Sequence, residues 1–256
     1  MVAALLVALL AVPIANVPAQ SSPTTSAASA LEKMAVKGRA AKTGYERSAF
    51  SDGWGDIGSC TVRNYILKRD LNSITYRGNC VVDTGVLVDP YSGKTINFKY
   101  GVGTSLAVQI DHVVALSDAW QKGAQKLDSS ARYKLYNDPL NLMAVDGPTN
   151  SSKGDSDAAS WLPPNKAYRC AYVARQIAVK VKYKLWVTLA EKEASIPLLL
   201  SEPELVQYDC SPTISGNTFC TNKLFVTDEY ASTDTEIRSL NKLRSSPIFA
   251  RFVVSH

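Results

Sequence analysis

The chain of 256 residues has room for one large domain or two small ones, and 46% hydrophobic with 20% charged residues excludes a disordered or fibrous molecule. Its net charge of +5 at pH 7 suits a polyanionic partner but establishes none.

Met1 to Ile14 is almost wholly apolar, and Val17-Pro18-Ala19 places small residues just before Gln20. Such a run is too short to span a bilayer and reads as a signal peptide over 1–19, although no Lys or Arg precedes it. No later segment is apolar enough to cross a membrane, so the mature chain is expected outside it. Residues 20–30 are rich in Ser, Thr, Pro and Ala and predict a flexible leader. Leu31 to Arg47 has helical character, and Val62, Ile66, Leu67 and Leu71 give helical spacing within 61–71. Val81-Val82, Val86 to Val88 and Thr95 to Tyr100 predict short strands around the turn Asp89-Pro90-Tyr91-Ser92-Gly93.

Ser105 to His112 predicts another strand, with a helix after it over 118–126. Leu140 to Val145 predicts a strand bounded by Pro139 and Gly147, and Asn150 opens a helical segment stopped by Pro163-Pro164. One long amphipathic helix is expected over 166–194, burying Cys170, Val173, Ile177, Val181, Leu185 and Leu189. Its Lys166, Arg169, Lys180 and Lys184 share a sector that reads as a solvated flank or, less often, a nucleic-acid track. Residues 211–256 form a tail with little periodic signal.

Five cysteines fit an oxidising compartment. Sequential pairing, Cys60 with Cys80 and Cys170 with Cys210, is the expectation, with Cys220 left over. The sequence alone permits other connectivities. Zinc is disfavoured because no two cysteines have the close spacing of a zinc knuckle.

Histidine is scarce: one of the two is the terminal His256, which leaves His112, directly after Asp111. Asn141 follows in Asn137-Asp138-Pro139-Leu140-Asn141-Leu142, and Asn150 in Asn150-Ser151-Ser152-Lys153-Gly154-Asp155. Each has an ordinary reading: His112 as a core histidine, Asp111 as a strand-end carboxylate, Asn150 as a helix cap, Lys153 as a solvated side chain. A Ser or Cys hydrolase built on His112 lacks the G-x-S-x-G elbow.

Together, Val108-Gln109-Ile110-Asp111-His112-Val113-Val114-Ala115-Leu116, Asn141 and Asn150-Ser-Ser-Lys153 resemble HNH endonucleases, and more closely the secreted HNH proteins related to the GmrSD type. Trp161-Leu162-Pro163-Pro164-Asn165 belongs to the same resemblance, which runs over 31–210. It implies an α+β fold with a ββα-metal core, flanking helices and short antiparallel strands, stabilised by disulfides. It implies that His112 is the general base and that Asp111 and Asn150 hold one divalent cation, Mg²⁺ before Mn²⁺ or Ca²⁺. Asn141 would orient the base or its loop. Arg63 and Lys153 are weaker candidates for substrate phosphate, with ion pairing of Arg63 to Asp56 or Asp70 equally open. The expected substrate is DNA, with RNA as an alternative, and no dedicated base-reading element is present, so low sequence specificity follows. A non-catalytic nucleic-acid or cell-surface binding module is the competing function. Adjacent strand residues face opposite sides, so Asp111 and His112 must meet at a strand end or bend to share one site.

Overall fold

A computed structural model of the chain describes residues 26–200 and the backbone of two further strands, Tyr208–Pro212 and Thr218–Asn222. The expected signal peptide, most of the leader and most of the tail lie outside the described residues.

The first element is α1 (Ala27–Lys33), capped by the Ser26 hydroxyl. It starts inside the stretch read as leader. Residues 34–46 are expected to continue a helix, and instead cross the body of the domain as non-helical chain with a turn at Thr43-Gly44. There Lys37 N bonds the Val187 carbonyl and Ala40 N that of Gln121, so tertiary pairing overrides local helical character. A small hairpin follows, β1 (Asp56–Ile57) with β2 (Cys60–Thr61), and then α2 (Val62–Asp70), capped by Thr61. Strands β3 (Asn72–Arg77), β4 (Val81–Val88) and β5 (Thr95–Lys99) make an antiparallel sheet in that order. The Cys60–Cys80 disulfide ties the small hairpin to the turn between β3 and β4. Closing a loop of this size stabilises by about 3 kcal/mol, mainly through the unfolded chain. The other expected pairing, Cys170 with Cys210, and the fate of Cys220 involve side chains outside the described residues.

Next come β6 (Val108–His112), α3 (Leu116–Gln121), α4 (Ser129–Asn137), β7 (Leu142–Asp146) and α5 (Gly147–Lys153). Strands β6 and β7 pair antiparallel, with Asp111 opposite Met143 and His112 opposite Leu142. Helix α5 follows β7 without a gap. Its first residue must be Gly147, because a Cβ there would lie 2.2 Å from the Leu106 carbonyl oxygen.

The predicted long helix is two helices, α6 (Arg169–Lys182) and α7 (Leu189–Leu200). Lys184 adopts a left-handed φ of 53°, and the chain between them turns inward. Trp186 N then bonds the Lys122 carbonyl and Val187 N that of Ala35, contacts a continuous helix would forfeit. Val181 and Leu189, expected in the core, are exposed. The last two strands, β8 (Tyr208–Pro212) and β9 (Thr218–Asn222), form an antiparallel pair. The architecture is thus mixed α and β, with small antiparallel sheets, as expected in class.

Three apolar clusters surround β6–β7. Tyr91, Val113, Met143, Val145 and Tyr172 pack on one face; Val108, Ile110, Leu142 and Ala144 pack with α2 and the three-stranded sheet on the other. The third, around Phe50, Val114, Leu135 and Tyr136, fills the space at the end of β6.

Charges are buried as well. Lys122 Nζ lies 2.7 Å from carboxylate oxygens of Asp118, Asp157 and Glu191. Lys180 pairs with Asp118 and Glu191, and Arg39 with Asp118 and Asp157. Lys180, read from sequence as a solvated flank, is fully buried. Three cations and three carboxylates therefore bind α3, α6, α7, the extended N-terminal segment and the chain just beyond α5 into one unit.

Candidate active site

Strand β6 organises the site by its alternation: Gln109 and Asp111 face one side, Ile110 and His112 the other. Helix α5 covers the first side. Asp146 caps it by accepting a bond from Thr149 N at 3.0 Å, and Pro148 stands in its first turn. Asn150, expected to open this helix, lies within it. Asn150 and Lys153, three residues apart, project together onto β6. Asn150 Nδ2 donates to Gln109 Oε1 at 2.9 Å, and Lys153 Nζ donates to Asp111 Oδ1 and to the His112 carbonyl, each at 2.9 Å.

Asp111 is only 6% exposed. Its second oxygen accepts the Tyr91 hydroxyl at 2.6 Å. Burial, then the Asp111 charge, pushes the Tyr91 phenol well above its ordinary pKa, so the hydroxyl stays a donor. Tyr91 arrives there because Asp89 straps its turn to β7: Asp89 accepts bonds from Tyr91 N, Ser92 N and Asp146 N.

His112 meets different neighbours. Its ring stacks on Trp54 at 5.8 Å with 7° between planes, and the Tyr136 ring lies 4.8 Å away. His112 Nε2 is 2.8 Å from the Tyr136 carbonyl oxygen. A carbonyl only accepts, so Nε2 carries the proton and Nδ1 keeps a lone pair. Burial, then the positive charge of Arg47, lowers the pKa of His112 to about 3 against the pull of the Tyr136 carbonyl. The imidazole is therefore neutral at physiological pH, the form a general base requires.

Asn141 is fully buried and acts as a bracket. Its Oδ1 accepts Val114 N at 2.8 Å, and its Nδ2 donates to the carbonyls of Val114 and Leu135. It thereby fixes the chain leaving His112 against α4, a positioning role. Asn141→Ala strands these buried groups, each costing about 1–3 kcal/mol, so urea unfolding should show a loss of at least ~2 kcal/mol. An unchanged urea midpoint would mean that the bracket contributes nothing.

Lys153, a candidate phosphate ligand, instead points inward and is committed to Asp111. Arg63 is half-buried on the first turn of α2 and, among the described residues, makes no ion pair; Asp70 pairs with Arg69. Thus the structure brings Asp111, Asn150 and Lys153 to one face of β6, sets His112 on the other, and carries Arg63 on α2.

A hard cation takes oxygen donors and keeps much of its water, so few protein ligands suffice. Asp111 has about four lone-pair sites, two of them used by Lys153 and Tyr91, and the Asn150 side chain lies on the same face, bonded through Nδ2 to Gln109. This donor set fits such an ion in chemistry, with the ammonium of Lys153 competing for Asp111. Among the described residues no three His, Cys, Asp or Glu side chains gather as a metal cage.

Residues 61–196 match the family described as GmrSD restriction endonucleases, C-terminal domain. The chain belongs to this family. The match contains all the candidate residues: Arg63, Asp111, His112, Asn141, Asn150 and Lys153. A relative from Arthroderma benhamiae, named an uncharacterized secreted protein, is 36% identical over 176 residues, covering 68% of this chain and 83% of the relative. No solved structure matches the chain.

Several residues of this GmrSD-type domain escaped the sequence reading. Tyr91 stands out in the sequence only as part of a turn and Gln109 only within the strand and motif string, and nothing in the sequence marks Trp54 or Tyr136 as site residues. Arg47, whose guanidinium lies 5.1 Å over the Tyr136 ring, ended a segment taken for helix.

Proposed function

We propose that this chain is a secreted, metal-dependent endonuclease that hydrolyses phosphodiester bonds of DNA, and RNA as a second substrate, with little sequence preference. The observation that carries the reading is the His112–Tyr136 hydrogen bond: it holds the proton on Nε2 and leaves Nδ1 as the basic nitrogen of the buried imidazole, within a nuclease family. His112 takes the proton of a water that attacks phosphorus, and the 3′ oxygen departs to leave a 5′ phosphate. A divalent cation held by Asp111 and Asn150, Mg²⁺ first among candidates, would neutralise charge on the phosphate and the departing oxygen. A phosphate seated across the carboxyl end of β6 would meet both faces of the strand. Secretion is supported by the apolar start of the chain, the name of the relative and the Cys60–Cys80 disulfide. Among the described residues no helix is long and apolar enough to cross a membrane.

The deep burial of Asp111 and His112, 6% and 5% exposed, favours the second reading, a non-catalytic nucleic-acid binding module. Plasmid and RNA cleavage by the disulfide-intact protein with Mg²⁺, Mn²⁺ or EDTA, beside a His112 variant, separates the two. The nuclease predicts cutting that requires metal and His112; salt-sensitive binding without cutting under any divalent ion would establish the module.

A further inference from the structure

Resting on the nuclease reading, we propose that Arg47 is a substrate-binding residue that grips a nucleic-acid phosphate beside His112. Arg47 is exposed, and among the described residues its guanidinium pairs with no carboxylate. It lies over the Tyr136 ring and donates weakly, at 3.4 Å, to the Tyr136 hydroxyl. Tyr136 is also the residue whose carbonyl holds His112 and whose ring lies 4.8 Å from the imidazole. The cation therefore stands one aromatic ring away from the proposed base.

The position of Arg47 is built. Its short turn, Arg47–Ala49, is anchored by the buried Phe50 and by Arg132 Nε, which donates to the Ala49 carbonyl at 2.7 Å. Tyr136 supports one face of the guanidinium and takes only one weak hydrogen bond from it. Most of its planar fork of donors stays available to a bidentate oxyanion, the geometry for which arginine suits phosphate better than lysine does. Lys42, nearby in sequence, is by contrast paired with Asp155, and Lys153 with Asp111.

The test measures binding of a fluorescein-labelled DNA duplex across a salt series, using the full chain with His112→Gln so that the probe stays intact. Adding Arg47→Ala should weaken binding about tenfold and flatten the slope of log affinity against log salt by roughly one phosphate contact. Arg47→Lys should restore the slope but only part of the affinity. Unchanged affinity and slope in Arg47→Ala, or absence of salt-sensitive binding in the parent, overturns the inference. Cleavage by wild type is scored separately. A wild type that cuts, beside an Arg47→Ala protein with equal KM and equal binding, removes Arg47 and keeps the nuclease. A wild type that binds through Arg47 and never cuts keeps the phosphate site and removes the nuclease.

Discussion

Replacing His112 with glutamine is expected to lower the cleavage rate by roughly 10²–10⁴-fold, the usual contribution of a general base, while the urea midpoint stays close to wild type. Glutamine carries an amide N–H able to reach the Tyr136 carbonyl, so the bond at Nε2 has a substitute. It offers no basic nitrogen in place of Nδ1. Alanine is the poorer probe, because it opens a void between Trp54 and Tyr136 and leaves that carbonyl unpaired, costing about 1–3 kcal/mol. Loss of activity in the alanine variant would therefore mix chemistry with folding. Undiminished cleavage by a folded His112→Gln protein would exclude His112 as the base, whatever the metal dependence.

The elements that hold the site were legible where burial on one face left a period in the sequence. Helix α2 and strands β4 to β7 fall close to where their apolar residues predict. Strand β3 was missed because nearly all its side chains are exposed, so no alternation marks it. The 166–194 helix was overextended because the signals that break it are tertiary: no Gly or Pro interrupts 183–188, and Trp186 and Val187 leave helical geometry for partners more than sixty residues away. Within the site, the identities of Asp111, His112, Asn141 and Asn150 could be read from the chain, but their arrangement could not. Alternation along β6 placed Asp111 and His112 on opposite faces, as period two requires. The commitments of Lys153 to Asp111 and of Tyr91 to the same carboxylate depend on loops and a helix packing together across long sequence separations, which no local pattern encodes.

The buried charge network gives the largest expected effect on stability. Lys122→Met should lower the free energy of unfolding by about 3–5 kcal/mol, read from urea titration, because it breaks a buried pair by removing one partner. The arithmetic of the cluster is the reason. Asp118, Asp157 and Glu191 face Arg39, Lys122 and Lys180; without Lys122 three buried carboxylates face two cations. Methionine fills much of the lysine stem, so the loss reports charge rather than volume.

The same cluster predicts an acid response. Burial pushes the Asp157 carboxyl up, but Lys122, Arg39 and Lys180 together outweigh it and hold the pKa at about 2, below the ordinary 3.8. The unfolded chain then takes up a proton before the folded one, so this contribution is complete above about pH 4 and is lost as pH falls to about 2. Removing Lys122 takes away the strongest of those opposing charges, which should move the acid-unfolding midpoint to higher pH by circular dichroism. A midpoint that stays put in Lys122→Met, together with wild-type urea stability, would mean that the six charges balance no better with Lys122 than without it.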